Sequence, residues 1–103
     1  MIPGSKPRLI ISRAAKMDTN AAARWYHARS PELGEAFLRA VDDAVARLLE
    51  FPESGPLIYR TLRHLLLDRF PYTLFYVYDP GRVRVIAVMH WRRDPEVWQA
   101  RAP

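Results

Sequence analysis

Arg63, Arg69, Arg92 and Arg93 are the side chains of this sequence with the clearest chemical potential. A guanidinium presents a planar fork of donors that matches carboxylate and phosphate oxygens. All four fall near the ends of apolar, β-forming runs, where a sheet would expose them. Two readings stand side by side. Either the cluster binds phosphate or an acidic protein surface, or Arg69 and Arg93 pair with their neighbours Asp68 and Asp94 at little net energy.

The remaining candidates divide in the same way. His27, His64 and His90 lack the spacing of a metal-ligand set, and the chain has no cysteine. Disulfide and thiolate chemistry is therefore excluded, and neither a metal nor a cofactor is expected. His64 is an available acid or base; His90, at a strand end, reads as a packed or hydrogen-bonded histidine. Tyr72, Phe75, Tyr76 and Tyr78 suit a stacking platform for bases, although cross-strand core pairs are the commoner meaning of such residues. Trp91 and Trp98 flank the basic turn and suit either a tail anchor or a partner hot spot.

The net charge of +5 points to acidic partners such as nucleic acid, an acidic protein segment or an anionic surface. Half of the 103 residues are hydrophobic and 26% are charged, so one folded domain is expected over residues 8–103. Residues 1–7 carry two prolines and a glycine and read as a flexible lead-in. No window approaches the roughly 20 apolar residues of a membrane span. Nor does the N-terminus carry the apolar run of a signal peptide, so a cytoplasmic protein is the simplest expectation.

The elements that must position these residues follow from patterning. Arg8 to Ser12, with Leu9, Ile10 and Ile11, is a short strand. Ser12 caps a helix that runs toward Trp25 and Tyr26 and buries Ala22, Trp25 and the stem of Arg29. Ser30, Pro31 and Glu32 open a second helix. Along it Phe37, Val41, Ala44, Val45, Leu48 and Leu49 recur with helical period, and Arg39–Asp43 and Asp43–Arg47 are i,i+4 pairs. Phe51-Pro52 ends that helix.

Glu53 to Arg60 reads as a loop around Ser54-Gly55-Pro56. Strands follow at Leu62–Leu67, Tyr72–Tyr78 and Val83–His90, the last two joined by an Asp79-Pro80-Gly81 turn. In the last strand Val83, Val85, Ala87 and Met89 alternate with Arg84, Ile86, Val88 and His90, and the strand is expected to be central. The expected fold is α+β, in the order β-α-α-β-β-β. A helix hairpin covers one face of a small, mainly antiparallel sheet and leaves the other partly open.

Three segments carry a further signal: Arg69-Phe70-Pro71-Tyr72, Leu74-Phe75-Tyr76 and His90-Trp91-Arg92-Arg93-Asp94-Pro95. In this order, after two helices, they resemble the C-terminal half of the ParE/RelE superfamily of toxins from type II toxin–antitoxin modules. Trp25-Tyr26 before Ser30-Pro31-Glu32-Leu33-Gly34 and Phe37 is similar to the same group. The resemblance extends from Arg8 onward. It implies a growth-inhibiting toxin linked to plasmid stabilisation, working in a hetero-oligomer with a cognate acidic, ParD-like antitoxin.

The superfamily contains two chemistries. RelE-like members cut mRNA on the ribosome, with basic residues on the sheet and a closing tyrosine. By resemblance, Arg92 matches one of their arginines and His64 falls at a lysine position. Leu66, Thr73 and Trp98 stand where the nucleases have lysine, arginine and tyrosine. ParE-like members poison DNA gyrase through a binding surface, without catalysis of their own, and the sequence resembles them more closely. The resemblance therefore implies target contacts at Arg69, Arg92, Arg93 and Trp98, and antitoxin contacts at Trp25, Phe37, Arg39 and Leu65. If the chain is instead a nuclease, Arg92 and His64 are its candidate catalytic residues. A non-toxic, basic nucleic-acid-binding module is the remaining alternative.

Overall fold

A computed structural model of the chain describes residues 6–103; most of the expected lead-in, residues 1–5, lies outside the described residues. The elements run β1 (Arg8–Ile11), α1 (Arg13–His27), α2 (Pro31–Glu50), β2 (Leu57–Tyr59), β3 (Leu62–Leu66), β4 (Tyr72–Asp79), β5 (Arg82–His90) and α3 (Pro95–Gln99). The sheet order is β1-β5-β4-β3-β2. β1 lies parallel to β5, and every other pairing is antiparallel. No helix among the described residues is long and apolar enough to cross a membrane.

The helices form where their caps and apolar periods place them. Ser12 accepts the Ala15 N–H at 3.0 Å and starts α1. At the start of α2 the Ser30 hydroxyl instead donates to Glu32 Oε2 at 2.7 Å, so Pro31 and the Glu32 charge open that helix without a side-chain cap. The hairpin closes tightly at Gly34. A Cβ there would stand 2.9 Å from the His27 Cβ and 3.1 Å from the Ala23 carbonyl oxygen, so only glycine permits this approach. The expected Arg39–Asp43 and Asp43–Arg47 pairs do not close to ion-pair distance among the described residues.

The inner faces of α1 and α2 cover one side of the sheet. Phe37, Leu48, Leu74, Tyr76, Val83 and Val85 anchor that core. Phe37 lies against Tyr26, Phe70 and Tyr72, with ring centroids 5.1 to 5.4 Å apart. Tyr76 is also buried, yet its hydroxyl is satisfied: it donates to the Pro52 carbonyl at 2.8 Å and accepts the Gly55 N–H at 2.9 Å.

Three expectations are corrected. Leu57–Tyr59 is a strand rather than loop. It turns into β3 through Arg60 at φ 54°, a left-handed residue that carries no glycine signal. The alternation in β5 is broken. Phe75 pairs with Ala87 and Tyr76 with Val85, which leaves Ile86 as the extra residue of a bulge. Before it, Val83 and Val85 face the helices; after it, Ala87 and Met89 face the other way and Val88 returns to the helix side. The face expected to be open is partly covered as well. Asp94 accepts the Glu96 N–H at 3.1 Å and Pro95 holds the first turn of α3. α3 lays Trp98 on Phe75, with centroids 4.7 Å apart and rings 19° from parallel. Leu62, Val77, Ala87 and Met89 complete this second, smaller core.

Candidate functional site

Four arginines in the sheet region are already engaged. Arg63 donates to the Gly55 carbonyl at 2.8 Å and supports the α2–β2 loop, so this candidate is structural. Arg84 Nε lies 2.8 Å from Asp79 Oδ2, with Arg82 at 3.4 Å. The hydrogen bond from Arg84 chiefly holds the Asp79 carboxyl below its usual range. Arg101 pairs with Asp18. Arg69, Arg92 and Arg93 make no ion pair among the described residues, and the expected local pairs with Asp68 and Asp94 do not form.

The topology brings those three arginines to one end of the sheet. Arg69, at φ 69°, sits in the β3–β4 turn, and Arg92 and Arg93 follow β5. The Leu67 N–H donates to the Tyr72 carbonyl at 2.8 Å and closes the β3–β4 turn, and the Trp91 N–H donates to the Pro71 carbonyl at 2.9 Å and ties the two turns together. All three arginines are exposed. The Arg92 guanidinium lies 4.8 Å from the Trp91 ring centroid, and the Arg92 N–H donates to His90 Nδ1 at 3.1 Å.

Two exposed tryptophans share this end. Trp91 is 54% exposed and Trp25 51%, and the Arg29 guanidinium caps Trp25 at 3.2 Å. Trp25, Tyr72, His90 and Arg93 line one cavity of about 280 Å³. The expectation that Trp25 points into the helix hairpin is thereby corrected: its ring faces the sheet end. The helical period marked Trp25 as core while the resemblance implied an antitoxin contact there, and Trp91 read as either a tail anchor or a partner hot spot.

The other candidates separate. Trp98, expected beside the target-binding arginines, is 8% exposed under α3 and serves the second core. Phe37 is fully buried, and Leu65 is half-buried and packed against the main core. Arg39 is exposed on α2. His64 faces the Trp98 side, its ring 20° from parallel with Phe75, and burial pushes its pKa below the usual histidine value. Thr73 is 4% exposed between Leu66 and Met89. His64 lies level with Ala87, about 10 Å of strand from the His90 end that leads to Arg92. The two candidate nuclease residues thus occupy different parts of the sheet. Among the described residues no three His, Asp or Glu side chains converge as a metal-ligating group.

Residues 9–95 match the family of the ParE toxin of the type II toxin–antitoxin system, parDE. The chain belongs to the ParE toxin family. A chain solved in the chromosomal ParDE TA system from P. aeruginosa is similar to it, with a TM-score of 0.73 and 19% sequence identity. That likeness covers 84% of this chain and 98% of the other, and at such identity it shows the fold. No curated protein matches this ParE-family chain.

Proposed function

We propose that this chain is the toxin of a type II pair, that it arrests growth by binding DNA gyrase rather than by catalysis of its own, and that a cognate acidic antitoxin neutralises it. The observation that carries this reading is the gathering of exposed Arg69, Arg92 and Arg93 with Trp25 and Trp91 at one sheet end. Arginine and tryptophan are the residue types that dominate binding hot spots. This surface can hold an acidic or phosphate-bearing partner without any reacting group. The face where a nuclease of this superfamily would work carries Leu66, Thr73 and Trp98, none of which moves a proton or offsets phosphate charge. The antitoxin assignment is supported by family membership and by the net charge of +5.

The test uses purified chain, gyrase and plasmid DNA. The expected result is accumulation of cleaved plasmid and loss of supercoiling, both weakened by Arg92→Ala with Arg93→Ala. Both residues are exposed, so the double variant should lose less than about 0.5 kcal/mol of stability. Unchanged gyrase activity would remove the target. Codon-specific mRNA cuts in a ribosomal primer-extension assay, abolished by Arg92→Ala, would replace the reading with nuclease chemistry.

A further inference from the structure

Arg92 and Arg93 take their direction from a turn whose two amides end on one residue. The His90 carbonyl accepts the Arg93 N–H at 2.8 Å, which closes a β-turn from His90 to Arg93. The His90 Nδ1 accepts the Arg92 N–H at 3.1 Å. The first position of such a turn ordinarily holds Asp, Asn or Ser, whose side chain takes the amide two residues on. Asp94 shows that ordinary pattern just downstream. It accepts the Glu96 N–H on Oδ1 at 3.1 Å and the Val97 N–H on its carbonyl at 3.0 Å. His90 does with an imidazole nitrogen what Asp94 does with a carboxylate oxygen, and the two motifs bracket the arginine pair.

The imidazole is held from β4. Tyr72 is its register partner, and the two rings meet at 71° with centroids 5.5 Å apart. An amide donor needs a lone pair on Nδ1, so the Arg92 bond exists only with the ring neutral and its proton on Nε2. An imidazolium has two donors and no acceptor. It would break the Arg92 bond and add a further cation beside Arg92 and Arg93, at the end that Arg69 shares. The acidic groups nearby are occupied: Asp18, which lines the same cavity as His90 and Tyr72, is paired with Arg101, and Asp94 is turned to the start of α3.

We propose that His90 is the positioning residue of the arginine end: its unprotonated Nδ1 sets the turn that aims Arg92 and Arg93 at the target, and protonation of the ring releases that turn. The link to gyrase rests on the proposed function; the control of the turn does not. A purely electrostatic role has the opposite sign, because an added proton strengthens attraction to an acidic or phosphate-bearing surface. Acid therefore separates the two roles. Positioning weakens binding as the ring charges, and charge alone strengthens it.

The test compares the wild-type chain with His90→Asn and His90→Ala. Asparagine keeps an acceptor at the same place along the side chain as Nδ1 and does not titrate. In the isotope-labelled chain, the Arg92 amide of His90→Ala should lose about fivefold of its protection from hydrogen exchange, the worth of one hydrogen bond. His90→Asn should keep that protection. Gyrase inhibition should follow the same order, roughly fivefold weaker in His90→Ala and restored in His90→Asn. Wild-type binding to gyrase, relative to that of His90→Asn on the same gyrase, should weaken from about pH 8 to about pH 5.5. Equal Arg92 protection in all three forms overturns the proposal whatever gyrase does. So does equal inhibition by all three, a His90→Asn variant as weak as His90→Ala, or a wild-type chain that gains on His90→Asn in acid. If the wild-type chain leaves gyrase untouched, the target is refuted and the order of Arg92 protection decides the positioning.

Discussion

The two faces of the sheet are built by different means. On one, α1 and α2 lay a continuous apolar surface over the strands, and aromatic rings meet in a cluster around Phe37. On the other, five helical residues of α3 place one indole on one phenyl ring, and Leu66 stays 61% exposed. The first face is a core in the ordinary sense and the second is closer to a strap. Buried area scales with covering surface, so stability should be concentrated on the helix face.

The largest expected effect tests that ranking. Phe37→Ala removes a fully buried ring and should cost about 4 kcal/mol, read from denaturant or thermal unfolding. Trp98→Ala should cost less, about 3 kcal/mol at most, because the strap side can admit water and neighbouring side chains can relax. Near-UV circular dichroism should then show the Phe37 cluster intact. Equal losses from the two substitutions would abolish the distinction between core and strap.

The same contrast explains what was readable in the sequence. The helix face announced itself through periodicity: Phe37, Val41, Ala44 and Leu48 mark a face at 3.6 residues per turn, and Ser12 and Pro31 mark its starts. The strap face had weaker signals. Asp94-Pro95-Glu96 is a helix start of the same kind as Ser30-Pro31-Glu32, yet it precedes only five helical residues with a single buried indole. The bulge at Ile86 has no side-chain signature, since Val, Ile, Ala and Met suit either face. β2 was hidden because Arg60, not glycine, takes its left-handed turn position. The site shows the same limit. Arg69, Arg92 and Arg93 were legible as a basic group, but the fates of Trp25 and Trp98 depend on which way each ring turns, and a lone tryptophan does not encode that.

A polar link on the helix side sharpens the comparison at smaller scale. Tyr76→Phe deletes the hydroxyl that holds the Pro52–Gly55 loop from beneath α2. It leaves the Gly55 N–H without that acceptor, so a loss of about 1.5 kcal/mol is expected. Amide exchange should accelerate at Gly55 before it does in β4. If Gly55 exchange is unchanged, the loop is held by Arg63 and not by the tyrosine.

The smallest effect belongs to the strap side and depends on pH. Burial lowers the His64 pKa, so the folded chain protonates this ring later than the unfolded chain as pH falls. The unfolded state therefore binds more protons once pH drops below the ordinary histidine value of 6.5. Linkage then makes stability flat above that value, declining beneath it, and level again below the folded pKa. His64→Gln should remove this step. The step should also shrink in Trp98→Ala, because water admitted beside Phe75 would hydrate the imidazolium and raise the His64 pKa. NMR titration of the His64 ring in both backgrounds decides the point. An unchanged His64 pKa after loss of Trp98 would mean that the strap does not keep this part of the sheet dry.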